Sequence, residues 1–138
     1  EQRGGTANCY VAVSDRMVGA PAADEVDHLI VMNGPSLKKF LPKLKKGGIL
    51  FVNSSIVTEE ITRDDIAVVR APVTEMALQL GNARVLNVIM LGVYVGFTEI
   101  ISPEVVWSEI ERKLAGKAKL LPLNRLAFET GLSIGRQR

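Results

Sequence analysis

The residues able to perform covalent or metal chemistry are few in this sequence. Cys9 is its one cysteine and His28 its one histidine. A single thiol makes no internal disulfide and cannot hold a zinc ion or an iron–sulfur cluster alone. One histidine likewise excludes a multi-histidine metal site. Cys9 lies in an apolar stretch typical of a buried strand. The sequence does not place a serine or cysteine where His28 could activate it as a nucleophile. We therefore predict no catalytic residue and no metal ligand.

Polar side chains that could bind a ligand follow two apolar runs. The turn Asn33-Gly34-Pro35-Ser36 comes after residues 28–32, and Asn53-Ser54-Ser55 comes after residues 49–52. In parallel α/β sheets, ligands and partners meet the carboxyl ends of the strands. We therefore expect both turns at one edge of a sheet, where their amide and hydroxyl groups and a helix N-terminus at Pro35 would stabilise a phosphate-bearing group. The alternative is that these side chains only cap the helices that follow.

Two further segments suggest anion binding. Arg3-Gly4-Gly5 is a candidate anion-binding corner, with a tight approach of the chain to a strand as the alternative. Residues 112–138 hold one acid, Glu129, against seven basic residues: Arg112, Lys113, Lys117, Lys119, Arg125, Arg136 and Arg138. That basic end either docks an acidic partner or a phosphorylated cofactor, or is a solvated surface.

Length and composition indicate one globular domain. The chain has 138 residues, of which 47% are apolar and 23% charged, and this is ordinary globular usage. The net charge of +2 is too small to favour nucleic acid as a partner. No signal peptide is visible at the start, and the longest apolar region, residues 85–101, is interrupted by polar residues and is too short to predict a membrane span. A cytoplasmic location is therefore expected.

The first half of the chain predicts strands alternating with a helix. Apolar runs at residues 7–13, 28–32, 49–52 and 66–69 are typical of strands, and those at 28–32 and 49–52 of strands buried on both faces. Leu37, Phe40, Leu41 and Leu44 recur at helical spacing, which predicts one helix from Pro35 that ends at Gly47-Gly48. Two buried strands joined by such a helix indicate a parallel, right-handed βαβ unit.

The second half predicts helices. We expect Thr74 to be the N-cap of a helix over residues 75–80, and Asn82 to cap the next helix, which is almost wholly apolar. Ser102 should cap a helix that opens at Pro103, and residues 123–134 should form a last helix. Gly92 and Gly96 lie one turn apart in the apolar helix, which indicates close approach of another backbone because each glycine costs about 1 kcal/mol there. The predicted fold is α/β: a single-domain, three-layer α/β/α sandwich with a mainly parallel sheet.

Five segments together resemble a known family. In order they are RGGTANC at 3–9, MNGPSLKKF at 32–40, KGGILFVNSS at 46–55, APVTEMA at 71–77 and LGNARVLN at 80–87. They are similar to the gamma subunit of 2-oxoacid:ferredoxin oxidoreductases, a domain that also occurs fused within pyruvate:ferredoxin and indolepyruvate oxidoreductases. The resemblance covers residues 1–138. The N-terminal glycine-rich βα unit of that family has no counterpart in this sequence.

The resemblance implies a non-autonomous subunit of an oxidoreductase. Such enzymes oxidatively decarboxylate a 2-oxoacid to an acyl-CoA with ferredoxin as acceptor. Thiamine diphosphate, Mg²⁺, the iron–sulfur clusters and CoA would then be bound on partner subunits of the alpha, beta and delta types. For this chain the resemblance implies a polar surface that contacts a cofactor or another subunit, formed by Arg3, Gly4, Gly5, Asn33, Ser36, Ser54, Ser55, Thr74, Arg84 and Asn87.

Two other functions stay open at this point. One is a free-standing module that binds CoA or a nucleotide, which tight binding of CoA by the isolated chain would favour. The other is a purely structural interaction domain, which co-purification with large partners and no small molecule would favour. The 2-oxoacid itself is not predicted, because residues that contact the substrate are expected on partner subunits.

Overall fold

The structure, a computed structural model, describes residues 25–137. The predicted strand at 7–13 and Cys9 lie outside the described residues. The described residues divide into two compact units: residues 25–52 with 56–70, and residues 53–55 with 71–137. Among the helices of this part of the chain, none combines the length and the apolar character that a bilayer-crossing segment needs.

The first unit is built on three neighbouring strands in the order β1-β2-β3. They are β1 (Val26–Val31), β2 (Leu44–Asn53) and β3 (Ala67–Ala71). β1 and β2 pair in parallel, with His28 opposite Ile49 and Val31 opposite Val52. The predicted α/β class with a parallel sheet is confirmed, and β1 and β2 end at the same edge as expected.

The connection between β1 and β2 differs from the prediction. Helix α1 spans only Gly34–Phe40 and is followed by a 3-10 turn at Leu41–Lys43, so the expectation of one helix up to Gly47-Gly48 is wrong. Pro42 has no backbone N–H to continue α-helical bonding, and the chain is already extended at Leu44.

The two glycines serve a bulge in β2 instead of a helix end. Partner residues shift between Val26–Leu44 and His28–Ile49, so β2 contains extra residues there. Gly47 has φ +82, and a Cβ on Gly48 would lie 2.8 Å from the carbonyl oxygen of Asp27. Both positions therefore require glycine, one for its backbone angle and one for the close approach of a neighbouring strand.

The core of the first unit lies against β2. Leu50, Phe51 and Val52 are completely buried, as predicted for a strand covered on both faces. The same prediction is wrong for β1, where Val31 is buried but Ile30 is 41% exposed. β1 is the outer member of the order β1-β2-β3, so it has a described neighbour on one side only.

Arg63 fastens the start of β2. Its Nη1 donates to the carbonyl oxygens of Leu41 at 3.0 Å and Leu44 at 2.9 Å. Its Nε and Nη2 donate to the two carboxylate oxygens of Asp65, each at 2.9 Å. One guanidinium thus holds the 3-10 turn, the first residue of β2 and the segment that leads to β3.

The second unit consists of four α-helices, and the predicted helices are all present. They are α2 (Val73–Gln79), α3 (Leu86–Thr98), α4 (Pro103–Lys113) and α5 (Leu121–Arg136), with 3-10 turns at Ala83–Val85 and Ala118–Leu120. Asn82 caps the 3-10 turn that precedes α3 and not α3 itself: its Oδ1 accepts from the amide of Arg84 at 2.9 Å, and α3 begins only at Leu86. Ser102 precedes α4 as predicted but does not cap it, because its hydroxyl donates to the carboxylate of Glu104.

Helices α3 and α5 meet backbone to backbone. A Cβ on Gly92 would lie 2.9 Å from the amide nitrogen of Leu132, and one on Gly96 would lie 3.1 Å from the Leu132 Cα. The approach is mutual, since a Cβ on Gly131 would lie 2.9 Å from the Val93 amide nitrogen, and one on Gly135 2.8 Å from that of Phe97. The predicted close approach at Gly92 and Gly96 is confirmed.

A cluster of large side chains surrounds this helix crossing. Val95, Phe128 and Leu132 are buried there, and the helix α4 residues Val106 and Trp107 pack against them. The Trp107 ring stacks on Phe128 with centroids 6.1 Å apart, and the Arg125 guanidinium lies 5.0 Å above Trp107. Helix α4 has no buried residue of its own, so Trp107 is its main anchor.

Adding one methyl group at the crossing should destabilise the protein. Alanine normally stabilises a helix over glycine by about 1 kcal/mol. At Gly92 the new Cβ would overlap the backbone of α5, and overpacking typically costs 1–3 kcal/mol. We expect Gly92→Ala and Gly131→Ala to lower the free energy of unfolding in urea by about that amount, and Gly92→Leu to lower it further. Ser133→Ala, on the exposed face of α5, is the control; a gain in stability at Gly92 would contradict the contact.

The Arg63–Asp65 pair predicts a defined response to acid. The hydrogen bond from Arg63 holds the pKa of Asp65 below its usual value. The folded chain therefore binds fewer protons at this carboxyl than the unfolded chain does. The contribution of the pair to the free energy of unfolding is complete above the unfolded pKa of about 4. That contribution is lost as the pH falls through the lowered folded pKa.

We expect the urea midpoint of the unaltered chain to decline more steeply below about pH 4 than that of Asp65→Asn. Asp64→Asn, which removes the adjacent exposed carboxylate outside this ion pair, is the matched control. Parallel pH curves for all three proteins would show that the pair contributes nothing.

Candidate functional site

The structure places the predicted polar-surface residues in three groups. Arg3, Gly4 and Gly5 lie outside the described residues. Asn33 and Ser36 belong to the first unit, while five others belong to the second: Ser54, Ser55, Thr74, Arg84 and Asn87.

Asn33 and Ser36 form the N-cap of α1. The Asn33 Oδ1 accepts from the amide of Ser36 at 2.9 Å, and Ser36 is only 8% exposed. The Glu59 carboxylate lies beside Gly34, where a Cβ would be 3.2 Å from the Glu59 Cδ. The capping alternative is therefore present here, and an anion bound at this turn would meet a negative charge. Phosphate binding at this turn stays a prediction.

Asn53, the last residue of β2, is the centre of a polar network in the second unit. Its side chain is almost fully buried, with 1% exposure. The Nδ2 donates to the Thr74 hydroxyl oxygen at 2.9 Å, and the Oδ1 accepts from the Ser55 amide at 3.2 Å. The Ser54 amide donates to the Ala71 carbonyl oxygen at 3.0 Å. One amide side chain therefore ties the end of a strand to the first turn of α2.

Ser55, not Thr74, caps α2. The helix begins at Val73, so Thr74 lies inside its first turn and the prediction of Thr74 as N-cap is wrong. The Ser55 Oγ accepts from the Glu75 amide at 3.1 Å, across 20 positions of sequence. The hydroxyl group that satisfies this free helix donor thus comes from the segment after β2.

Ser54, Ser55 and Thr74 are brought together by the structure, whereas Arg84 and Asn87 are exposed side chains outside the network. The central residue, Asn53, lies in the predicted ligand turn Asn53-Ser54-Ser55 but is not one of the residues of the predicted polar contact surface. Its signal in the sequence is a single amide directly after the apolar run ILFV, where a buried polar side chain needs partners. We name the set Asn53, Ser54, Ser55 and Thr74 the Asn53 network.

The chemistry available to the Asn53 network is hydrogen bonding without proton transfer. Amide and hydroxyl groups hold and orient a polar ligand or a neighbouring chain, and none of them titrates near neutral pH. Residues 25–137 contain no group of three or more His, Cys, Asp or Glu side chains placed to hold a metal ion. In the structure these groups bond to one another and to the first turn of α2, and their contact with a cofactor or another subunit stays a prediction.

Titratable groups with shifted pKa values lie elsewhere. Burial raises the pKa of the Tyr94 phenol. Hydrogen bonds from its own backbone amide and from the Ser102 hydroxyl lower the pKa of Glu104. Neither residue is part of the Asn53 network, so no residue from 25 to 137 with a shifted pKa belongs to it.

Two clefts of the described residues also lie away from the predicted residues. One, of about 490 Å³, is in the second unit between the end of α3 and the start of α4 and includes Glu99, Pro103 and Arg136. Another, of about 320 Å³, is in the first unit and is lined by Leu37, Leu41 and Pro42 with a charged rim. Neither contains a member of the polar surface predicted from the sequence.

Removing the Asn53 side chain should cost more stability than its size suggests. Asn53→Ala leaves the Thr74 hydroxyl and the Ser55 amide without these partners, and a buried unsatisfied group costs about 1–3 kcal/mol. We expect that loss in urea unfolding, with no comparable change for the exposed control Asn87→Ala. Thr74→Val and the double variant complete a cycle. Simple addition of the two single effects would show that the two side chains do not interact.

The family model for pyruvate ferredoxin/flavodoxin oxidoreductases matches residues 1–134. The chain is 35% identical over 139 aligned residues to ketoisovalerate oxidoreductase subunit VorA of Methanothermobacter thermautotrophicus, covering 99% of this chain and 28% of that protein. It is 26% identical to 2-oxoglutarate synthase subunit KorC of Methanocaldococcus jannaschii, covering 73% of KorC. The chain thus spans 28–29% of the length of the two ketoisovalerate relatives.

Two solved structures share the fold. One is the gamma subunit of a keto/oxoacid ferredoxin oxidoreductase from Geobacter sulfurreducens, with a TM-score of 0.72 and 24% identity over 81% of this chain and 65% of that chain. The other is 2-oxoglutarate:ferredoxin oxidoreductase from Magnetococcus marinus, with a TM-score of 0.81 and 19% identity over 91% of this chain and 22% of that chain. The resemblance to gamma subunits is confirmed, and the chain belongs to the pyruvate ferredoxin/flavodoxin oxidoreductase family.

Proposed function

We propose that this chain acts as the gamma subunit of a multi-subunit 2-oxoacid:ferredoxin oxidoreductase. The observation that carries the proposal is the family match over residues 1–134. The relatives that support it are subunits of a ketoisovalerate oxidoreductase and of a 2-oxoglutarate synthase. The reaction is the oxidative decarboxylation of a 2-oxoacid to an acyl-CoA, with electrons passed to ferredoxin.

The cofactors and partners belong to the same proposal. Thiamine diphosphate, Mg²⁺, the iron–sulfur clusters and CoA are bound on partner subunits of the alpha, beta and delta types, in a cytoplasmic complex. The described residues offer no carboxylate or cysteine cluster for a metal or an iron–sulfur cluster. We therefore assign no step of the reaction to a cofactor held by residues 25–137.

The work assigned to this chain is assembly and positioning. Within the second unit, the Asn53 network joins residues 53–55 to the first turn of α2, and the α3–α5 crossing packs two helix backbones together. Arg84 and Asn87 lie beside the start of α3, and among the described members of the predicted polar surface they are the two exposed ones. A rigid frame with exposed polar groups suits a subunit that fixes the positions of its partner subunits relative to one another.

The identities suggest which 2-oxoacid to assay first. The chain is 35% identical to the ketoisovalerate relative and 26% identical to the 2-oxoglutarate relative. A branched-chain 2-oxoacid is therefore the first substrate to test, with 2-oxoglutarate and pyruvate beside it.

The experiment compares the pure chain with the complex recovered on it. We expect the isolated chain to reduce neither ferredoxin nor a viologen dye with any 2-oxoacid and CoA. A complex purified on an affinity tag of this chain should do so in a CoA-dependent reaction. Turnover by the pure chain would overturn the subunit assignment. Tight CoA binding by the pure chain without co-purifying subunits would instead favour the free-standing module.

A further inference from the structure

The connection from α4 to α5 concentrates positive charge on an exposed surface. Lys113, Lys117 and Lys119 are exposed, and none belongs to the four salt bridges formed among residues 25–137. The flanking Arg112 and Arg125 are paired with Glu109 and Glu129. The sequence contains no acidic residue from 112 to 128. We call residues 113–120 the basic corner.

The backbone of the basic corner is held in a fixed turn. The Lys117 amide donates to the Leu114 carbonyl oxygen at 2.8 Å, and the Leu120 amide donates to the Lys117 carbonyl oxygen at 2.9 Å. Gly116 supplies the left-handed angle of the turn, with φ +85. The three lysine side chains therefore extend from a backbone that is already ordered. A partner that binds them would not have to order a loop.

Local electrostatics account for only part of this charge. Arg112 and Lys113 lie in the last turn of α4, where cations interact favourably with the helix dipole. Lys117 and Lys119 lie instead just before α5, whose first turn has no acidic residue and no side-chain cap. Positive charge beside the positive end of a helix is unfavourable. These two lysines are therefore not explained by the stability of the chain itself.

We propose that the basic corner docks an acidic surface of a partner subunit in the assembled enzyme. This inference rests on the proposed function. Charge complementarity requires the docked surface of the partner to be acidic. Leu120, which follows Lys119 and is 43% exposed, adds an apolar contact. In the ketoisovalerate relative the matched segment is 28% of the protein, so there it lies in a longer chain with other polypeptide to contact. The net charge of +2 keeps the positive field local, which disfavours nucleic acid.

The test reverses two charges at the basic corner and two elsewhere. Lys117→Glu/Lys119→Glu is compared with Lys38→Glu/Lys46→Glu, a matched control with the same change of net charge at two exposed lysines of the first unit. Lys117→Arg/Lys119→Arg keeps the charge. Each tagged chain is purified from its source cells in 50–500 mM NaCl, with about 0.15 M as the physiological reference. The partner subunits are identified and quantified by mass spectrometry, and thermal unfolding of each pure chain confirms folding.

We expect the corner reversal to reduce subunit recovery at least tenfold at low salt, while the control and the arginine variant keep it. Recovery by the unaltered chain should fall as salt rises. Equal recovery by the corner reversal and the control overturns the docking surface but leaves the subunit role standing. Salt-sensitive, lysine-dependent recovery of an identified acidic protein unrelated to these oxidoreductases overturns the subunit role and, with it, docking to a partner subunit. Recovery of nuclease-sensitive nucleic acid only, or of nothing, overturns the docking proposal.

Discussion

The second unit depends on the direct contact of two helix backbones. Between α3 and α5 there is no room for a single Cβ at Gly92, Gly96, Gly131 or Gly135. Each glycine costs about 1 kcal/mol in a helix interior, and this cost is offset because the close approach brings large side chains on both flanks into contact. Phe128 is buried beside the crossing and Trp107 stacks on it, so the position of α4 follows from the position of the glycines.

The crossing was half predictable from the sequence. The pair Gly92 and Gly96 in an almost wholly apolar helix indicates that another backbone must approach, but it does not say which one. The partner is marked by the same spacing, in Gly131 and Gly135 of the last helix. Two matched glycine pairs, one in each of two predicted helices, are a stronger signal than either pair alone, because mutual approach requires small residues on both sides.

The wrong predictions arose where local patterns competed with distant contacts. The spacing of the leucines up to Leu44 is compatible with one long helix and also with a short helix followed by a strand. Pro42 was the better guide to the end of α1, because it cannot donate a helical hydrogen bond. Thr74 fits the local rule for an N-cap, but Ser55 lies closer to the free amide in space although it is distant in sequence. Asn33 suited both a ligand site and a cap, and its bond to the Ser36 amide shows that it caps. Single-sequence patterns record what is near along the chain and miss what the fold brings together.

The capping of α2 by Ser55 bears on the order in which the chain folds. A helix of seven residues such as Val73–Gln79 is marginal in isolation, since its nucleation is costly and few bonds follow. The hydroxyl group that satisfies its first turn becomes available only when the end of β2 is in place. We therefore expect helix α2 to form after residues 53–55 are placed and not to nucleate the folding of its neighbours.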